Sequence, residues 1–235
     1  MKVLTKLLGS ASLSVFRRIK FLKAKRKCGY FSINSLDEQL EKYVDYDDGF
    51  YVELGANDGV NQSNTLYFEM KRNWKGVLVE PTPHNFILCS EQRSNKNKIF
   101  CNACVGFDYK DKYVDIKYAN LMTISENLDL DLENKEAHIQ AGEKHLTEKD
   151  RVFSFGSVAA TLNSLLEKAN APSVIDFISL DVEGAELEVL KGINFEQFSF
   201  KYMLIEVRDL KRVEGFLKNH SYVFLHKTDL TKTWL

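Results

Sequence analysis

The chain has 235 residues, of which 44% are hydrophobic and 28% charged, enough apolar material for one domain with a sizeable core and too much for a disordered or collagen-like chain. Only three prolines, and no proline- or serine-rich stretch after residue 35, exclude an interdomain linker. The net charge of −1 hides an asymmetry, because residues 1–27 carry nine Lys or Arg and no acid, leaving 23 bases against 33 acids in the remainder.

Along this basic arm, Leu4, Leu8, Ala11, Val15, Ile19 and Leu22 recur at helical spacing, and Lys20, Lys23, Lys25, Arg26 and Lys27 crowd its end. The uncharged run from Leu7 to Phe16 is about half the roughly 20 apolar residues a bilayer crossing needs. Two readings stay open: a helix lying on an anionic membrane surface, or a helix packed on the domain with its bases solvated. Nucleic acid is disfavoured as a partner, since the acidic body repels phosphate. Four cysteines (Cys28, Cys89, Cys101, Cys104) are too few to staple a fold, and without a cleavable signal peptide in view the thiols are expected reduced and the chain cytoplasmic.

A second helix is predicted from Ser35, where Ser35-Leu36-Asp37-Glu38 has capping-box spacing and Leu36, Leu40 and Tyr43 form an inward stripe. After the Asp47-Asp48-Gly49 turn, short apolar runs alternate with helical segments. Phe50 to Leu54 is predicted as a buried strand running into Gly55-Ala56-Asn57-Asp58-Gly59, and a helix follows around Thr65 to Lys71. Strand, glycine turn and helix make a ligand-binding unit: the glycines permit a sharp bend and close approach, and the helix start is expected to offer unpaired amides. Glu53 adds a negative charge beside that crevice. A second strand, Gly76 to Val79, ends in Glu80-Pro81, placing a carboxylate where it accepts hydrogen bonds from a ribose diol.

A dinucleotide fold prefers glycine at the first, third and sixth positions of such a turn, but the third here is Asn57. A cofactor with an amino-acid part and a nucleoside part but no pyrophosphate, such as S-adenosylmethionine, suits the pattern better than NAD. The plain alternative is a tight turn shaped by Gly55 and Gly59 for its own sake.

The third strand is predicted over Lys98 to Val105, with Asn102 or Ala103 placed to border an adenine ring. Cys101 and Cys104 lack a second close pair, so a four-thiolate zinc site is not expected. A polar insertion over about residues 106–151 contains an alternating strand around Val114, Ile116 and Tyr118, with Met122 to Ile124 as its partner. Asp129, Asp131 and Glu133 open like a calcium loop, but Asn134 and Gln140 stand where that loop requires glycine and glutamate. The acidic stretch Glu126 to Glu136 therefore reads as a solvated loop or helix face and as the candidate acceptor-binding lid. Thr161 to Ala169 is predicted helical, Val174 to Leu180 a buried strand ending in Asp181-Val182-Glu183-Gly184-Ala185-Glu186, Tyr202 to Val207 a fifth strand and Tyr222 to Leu225 a late one. Carboxylates collected at one strand end are costly unless something positive sits among them, which a sulfonium with its α-amino group provides.

The segments Glu53 to Gly59, Ser63-Asn64-Thr65, Trp74-Lys75-Gly76 with Glu80-Pro81, and Asp176 through Gly192 resemble the FkbM-type methyltransferases. The similarity runs from about Phe50 to Tyr222, outside most of the insertion, and divides the chain into an N-terminal arm, 1–34, and a methyltransferase domain, 35–235. It implies an α/β class I methyltransferase fold with a seven-stranded, mostly parallel sheet and a reversed edge strand. It also implies methyl transfer from S-adenosylmethionine to a hydroxyl of a sugar, glycan, glycolipid or other small molecule. By the resemblance, Gly55, Ala56, Asn57 and Gly59 line the methionine part, Glu80 the ribose, Asn102 or Ala103 the adenine, and Asp181 with Glu183 the reaction centre. Glu53, Asp58 and Pro81 complete the candidate cofactor-binding set. Candidates for the base that takes the hydroxyl proton are Asp181, Glu183, His138 and His145. A metal held by Asp181 with Glu206 or Asp209 is not favoured. Two other readings are a noncatalytic membrane-associated module that keeps the fold, as some relatives do, and a nucleotide-dependent oxidoreductase.

Overall fold

The computed structural model describes residues 29–225 except 133, 145 and 147–150. The basic helix expected over residues 1–27, Cys28, Glu133 and His145 lie outside the described residues. The first element is a 3-10 turn, Ile33–Ser35, leading into α1, Leu36–Glu41. Ser35 is not the cap the sequence suggests: it sits at φ 55° and makes no side-chain cap bond. The first helical residue lies upstream at Ile33, and Ser32 before it is tied to Asp37 rather than to the first amides of the turn. Its Oγ accepts the Asp37 amide at 2.8 Å, while the buried Asp37 carboxylate accepts the Phe31 amide at 2.6 Å and the Ser32 hydroxyl at 2.7 Å.

Five parallel strands form the main sheet: β1 (Phe50–Leu54), β2 (Lys75–Val79), β3 (Lys98–Phe100), β8 (Val174–Leu180) and β9 (Ser199–Ile205), in spatial order β3-β2-β1-β8-β9. Helices α2 (Leu66–Lys71) and α3 (Pro83–Gln92) make the crossovers of the first half, and α5 (Leu162–Ala169), α6 (Glu186–Leu190) and α7 (Leu210–Lys218) belong to the second. Both faces are covered, which is why these strands read as unbroken apolar runs. Val52, Leu54, Val77 and Ile178 pack with Leu165 and Leu166 of α5 and Val213 of α7. On the other face Tyr51, Leu78 and Phe177 pack with Leu40 of α1, Phe68 of α2 and Trp74. Strand order reverses between β1 and β8, and the loops that follow their carboxyl ends diverge there to leave a crevice.

A second sheet of four strands, in order β4-β7-β5-β6, stands over that crevice: β4 (Ala103–Cys104), β5 (Tyr113–Tyr118), β6 (Ile124–Ser125) and β7 (Phe153–Ala160). Between β6 and β7 lies α4, Lys135–Glu143, whose N-cap is Asn134, accepting the Ala137 amide at 2.8 Å. The alternating strand expected in the insertion is β5, and Ile124 does pair with it. The single third strand expected over Lys98 to Val105 is instead broken at Cys101-Asn102, because Ala103-Cys104 leave the main sheet to pair with Ala159 and Ala160. The longer partner of β5, β7, carries no clean alternation: most of it is exposed or half-exposed and rich in Ser, Gly and Ala. Seven strands are expected in the main sheet, but five are found among the described residues, and no reversed edge strand. Tyr222 to Leu225 is irregular, and the Tyr222 hydroxyl, rather than a backbone ladder, accepts the Phe200 amide of the edge strand at 2.9 Å. No helix among the described residues is long and apolar enough to cross a membrane.

Candidate functional site

The glycine turn is shaped by its neighbours across the crevice. Gly55 has φ +76°, and a Cβ there would lie 1.9 Å from the Asp181 carbonyl oxygen. The amides of Gly55 and Ala56 extend the β1 ladder onto Val79 O at 3.1 and 3.2 Å. Asn57 takes the left-handed conformation, φ 48°, and donates its amide to Glu80 Oε2 at 2.9 Å. The other oxygen of Glu80 accepts the Thr82 amide at 2.9 Å, so one buried carboxylate ties the turn after β1 to the loop after β2. Burial raises the Glu80 pKa despite these bonds. Asp58 and Gly59 lie outside the cavity wall. Asp58 closes a local turn on the Val60 and Asn61 amides at 2.9 and 2.8 Å. Gly59, at φ +79°, packs against Cys89 and Arg93.

Glu53 reaches the cavity wall but is committed to the fold. Its carboxylate accepts the Ser63 hydroxyl at 3.0 Å, the Asn64 amide at 3.1 Å and the Thr65 hydroxyl, and it pairs with Arg93 Nη1 at 3.2 Å. Arg93 has a side-chain exposure of 0% and also binds Glu69, Tyr51 and Thr65. The free negative charge expected at Glu53 is thus neutralised inside the protein. Of the amides expected to be unpaired at the start of α2, those of Thr65 and Leu66 donate to Ser63 Oγ, at 3.3 and 3.1 Å. Nothing local in the sequence marks Arg93, because a lone arginine after a helix reads as a surface charge.

Asp181, at the end of β8, opens onto the cavity while protein surrounds it on its other sides. Its pKa is pushed well above the carboxylate range by removal from bulk water and then by the carboxylates of Glu206, Glu183 and Glu186. Glu206, after β9, is raised for the same reasons, burial first and Glu183 next. Two such neighbours hold one proton between them more readily than none. Glu183, at φ 55°, is instead bound by Arg208 Nη2 at 2.6 Å and His138 Nε2 at 3.1 Å. Glu186 turns back to accept the Val182 and Gly184 amides, both at 3.1 Å, and burial pushes its pKa up to about 7. Asp209 caps α7 through the Lys211 and Arg212 amides. No group of three His, Cys, Asp or Glu among the described residues is arranged to hold a metal ion.

The acidic stretch is docked rather than merely solvated. Asp131 donates its amide to Gly184 O at 2.9 Å and accepts the Asp209 amide, Arg212 pairs with Asp129 at 2.7 Å, and His138 of α4 reaches Glu183. At the other end Asn102 Nδ2 donates to Val158 O at 3.0 Å, and Ala103 is buried beside it.

These residues enclose a cavity of about 440 Å³, within the range of small-molecule sites. Of the sequence-derived candidates, its wall includes Glu53, Gly55, Ala56, Asn57, Glu80, Pro81, Asn102, Ala103, Asp181 and Glu183; Glu206 joins them, and the second sheet contributes Ile116 and Asn120 to Ser125. The wall contains five carboxylates and no Lys or Arg; Glu53 and Glu183 are paired with Arg93 and Arg208 from behind it, which leaves Glu80, Asp181 and Glu206 without a basic partner and makes the wall unsuited to phosphate. Asn64 and Ser179, also in the wall, were not singled out as site residues by the sequence; the buried Asn64 Oδ1 has no hydrogen-bond partner. A search of curated proteins and a search of solved structures each return no match. The family model described as the Methyltransferase FkbM domain matches residues 53–225, a span that includes every strand end around this cavity, and the chain therefore belongs to the FkbM methyltransferase family.

Proposed function

We propose that the chain is an S-adenosylmethionine-dependent O-methyltransferase of class I type, acting on a hydroxyl of a sugar, glycan or glycolipid, with residues 1–27 resting on an anionic membrane surface. The observation that carries the reading is a cavity at the strand-order switch whose wall holds Glu80, Asp181 and Glu206 with no Lys or Arg, in a chain of this family. The residues present fit the donor: the Glu80 carboxylate lies in the cavity wall at the end of β2, where it can accept from a ribose hydroxyl, and the bend at Gly55 lets the chain backbone come close to a ligand. Gly55, Ala56 and Asn57 line the methionine part, and Asn102 with Ala103 borders the adenine.

S-adenosylmethionine supplies, when bound, a methyl carbon activated by positive sulfur. The protein's part is to hold the acceptor hydroxyl in line, which accounts for much of the rate of such a reaction. Asp181 faces the cavity with Glu206 beside it; the two share one proton, and the carboxylate of the pair that stays ionised accepts the proton of the acceptor hydroxyl. Glu183, fixed by Arg208, positions the loop rather than taking the proton. The test is incubation with isotopically labelled donor and fractionated glycans or lipids from the source. Label should appear in a hydroxyl-bearing fraction, and Glu80→Ala and Asp181→Ala should each remove it. Undiminished transfer by both variants overturns the site assignment.

Nine bases and no acid in residues 1–27 support a second reading, a membrane-bound module without catalysis. It predicts liposome binding that is lost on deleting those residues, and no affinity for the donor. An oxidoreductase is disfavoured because the amides that a pyrophosphate would need are held by Ser63, Glu53 and Glu80.

A further inference from the structure

We infer that Asn64 grips the amino-acid end of the methyl donor, its side-chain oxygen accepting from the donor's α-ammonium group, with Ser179 as the residue that aims it. The inference rests on the proposed donor. Asn64 is held at two points: its backbone amide donates to Glu53 Oε1 at 3.1 Å, and its Nδ2 donates to Ser179 Oγ at 2.9 Å. Ser179 is 2% exposed and lies opposite Glu53 in the β1/β8 ladder, so both supports belong to the sheet. The remaining polar atom, Oδ1, is buried in the cavity wall with no partner in the protein. A buried acceptor left unpaired is costly unless a ligand supplies the donor.

Sheet order says which part of the ligand arrives there. Neighbouring strands are about 4.8 Å apart, so β8 lies about 10 Å from β2, with β1 between them. A nucleoside whose ribose rests on Glu80 after β2, and whose adenine turns toward β3, sends its other arm over Gly55 to the end of β8. That arm ends in an ammonium and a carboxylate. An amide oxygen near Asp181 and Glu206 suits the ammonium and not the carboxylate.

The test is calorimetric binding of two thioethers, S-adenosylhomocysteine, which has the amino-acid end, and 5′-methylthioadenosine, which lacks it. Asn64→Leu should weaken the first by about 10- to 100-fold, the range expected for a hydrogen bond to a charged group, and leave the second within about twofold. Asn64→Asp, which keeps an oxygen at the position, should hold S-adenosylhomocysteine to within about threefold of the wild type. Equal losses for both ligands, no loss for either, or a loss in Asn64→Asp as large as in Asn64→Leu overturns the assignment of Asn64 alone. A wild-type protein that binds neither compound overturns the donor reading, and this inference with it.

Discussion

Gly55 and Asp181 meet where β1 and β8 end, so closely that a methyl group on Gly55 would lie 1.9 Å from the Asp181 carbonyl oxygen. The contact fixes the floor of the crevice, and it leaves Gly55 at φ +76°, a conformation side chains resist. Gly55→Ala should therefore cost at least about 2 kcal/mol in urea unfolding and abolish binding of the methyl donor. Gly215, inside α7 with open space around it, is the control: Gly215→Ala should be neutral or stabilise by about 0.5–1 kcal/mol.

Arg93 is the keystone of the loop behind the site. Its guanidinium, at 0% exposure, neutralises Glu53 and Glu69 at 3.2 and 2.7 Å. Arg93→Met leaves two buried carboxylates without their cation and should destabilise the protein by roughly 3–5 kcal/mol, measured by the urea midpoint. Surface pairs such as Lys218 with Glu214 should contribute less than about 1 kcal/mol by the same measurement.

The pH dependence of stability follows from Glu186, whose native pKa, raised by burial to about 7, exceeds its ordinary 4.5. The folded state then binds a proton that the unfolded state releases, so the contribution is full below pH 4.5 and is lost as pH rises through about 7. The raised Asp181 and Glu206 act in the same direction. Urea midpoints should fall between pH 5 and 8, and Glu186→Gln, which keeps an oxygen for the Val182 and Gly184 amides, should flatten that slope. A wild-type midpoint that rises over this range sinks the prediction.

Docking of the insertion on the site is tested at His138, whose Nε2 lies 3.1 Å from Glu183 with side-chain exposures of 8% and 16%. His138→Leu should speed amide hydrogen exchange across α4 by about fivefold, equivalent to about 1 kcal/mol, while the Asp131 to Gly184 bond limits further opening. Exchange in β1 should not change.

The acids at Glu80 and Asp181 and the bend at Gly55 were legible because each follows an apolar run that ends in a turn. The same holds for β1, β8 and α5. The capping-box spacing at Ser35 does not produce a cap, because a 3-10 turn places Ser35 at φ 55° and Asp37 bonds back to Ser32, an arrangement that spacing does not reveal. β7 shows no hydropathy signal because its inward face carries Ser157 and Ala159 while its outward face carries Val158, so apolar residues do not follow the alternation of burial.

By itself the sequence determined where β1, β2 and β8 stop, which residues bend the chain there, and that carboxylates gather at those stops. Periodicity and turn chemistry act over a few residues and are written into neighbouring positions. The tertiary structure alone decided that Arg93 neutralises Glu53 across 40 residues and that Asn64 meets Ser179 across 115. Such pairs depend on strand order and on burial, which turn an ordinary charge or amide into one that must find a partner, and no local pattern records which partner it will be.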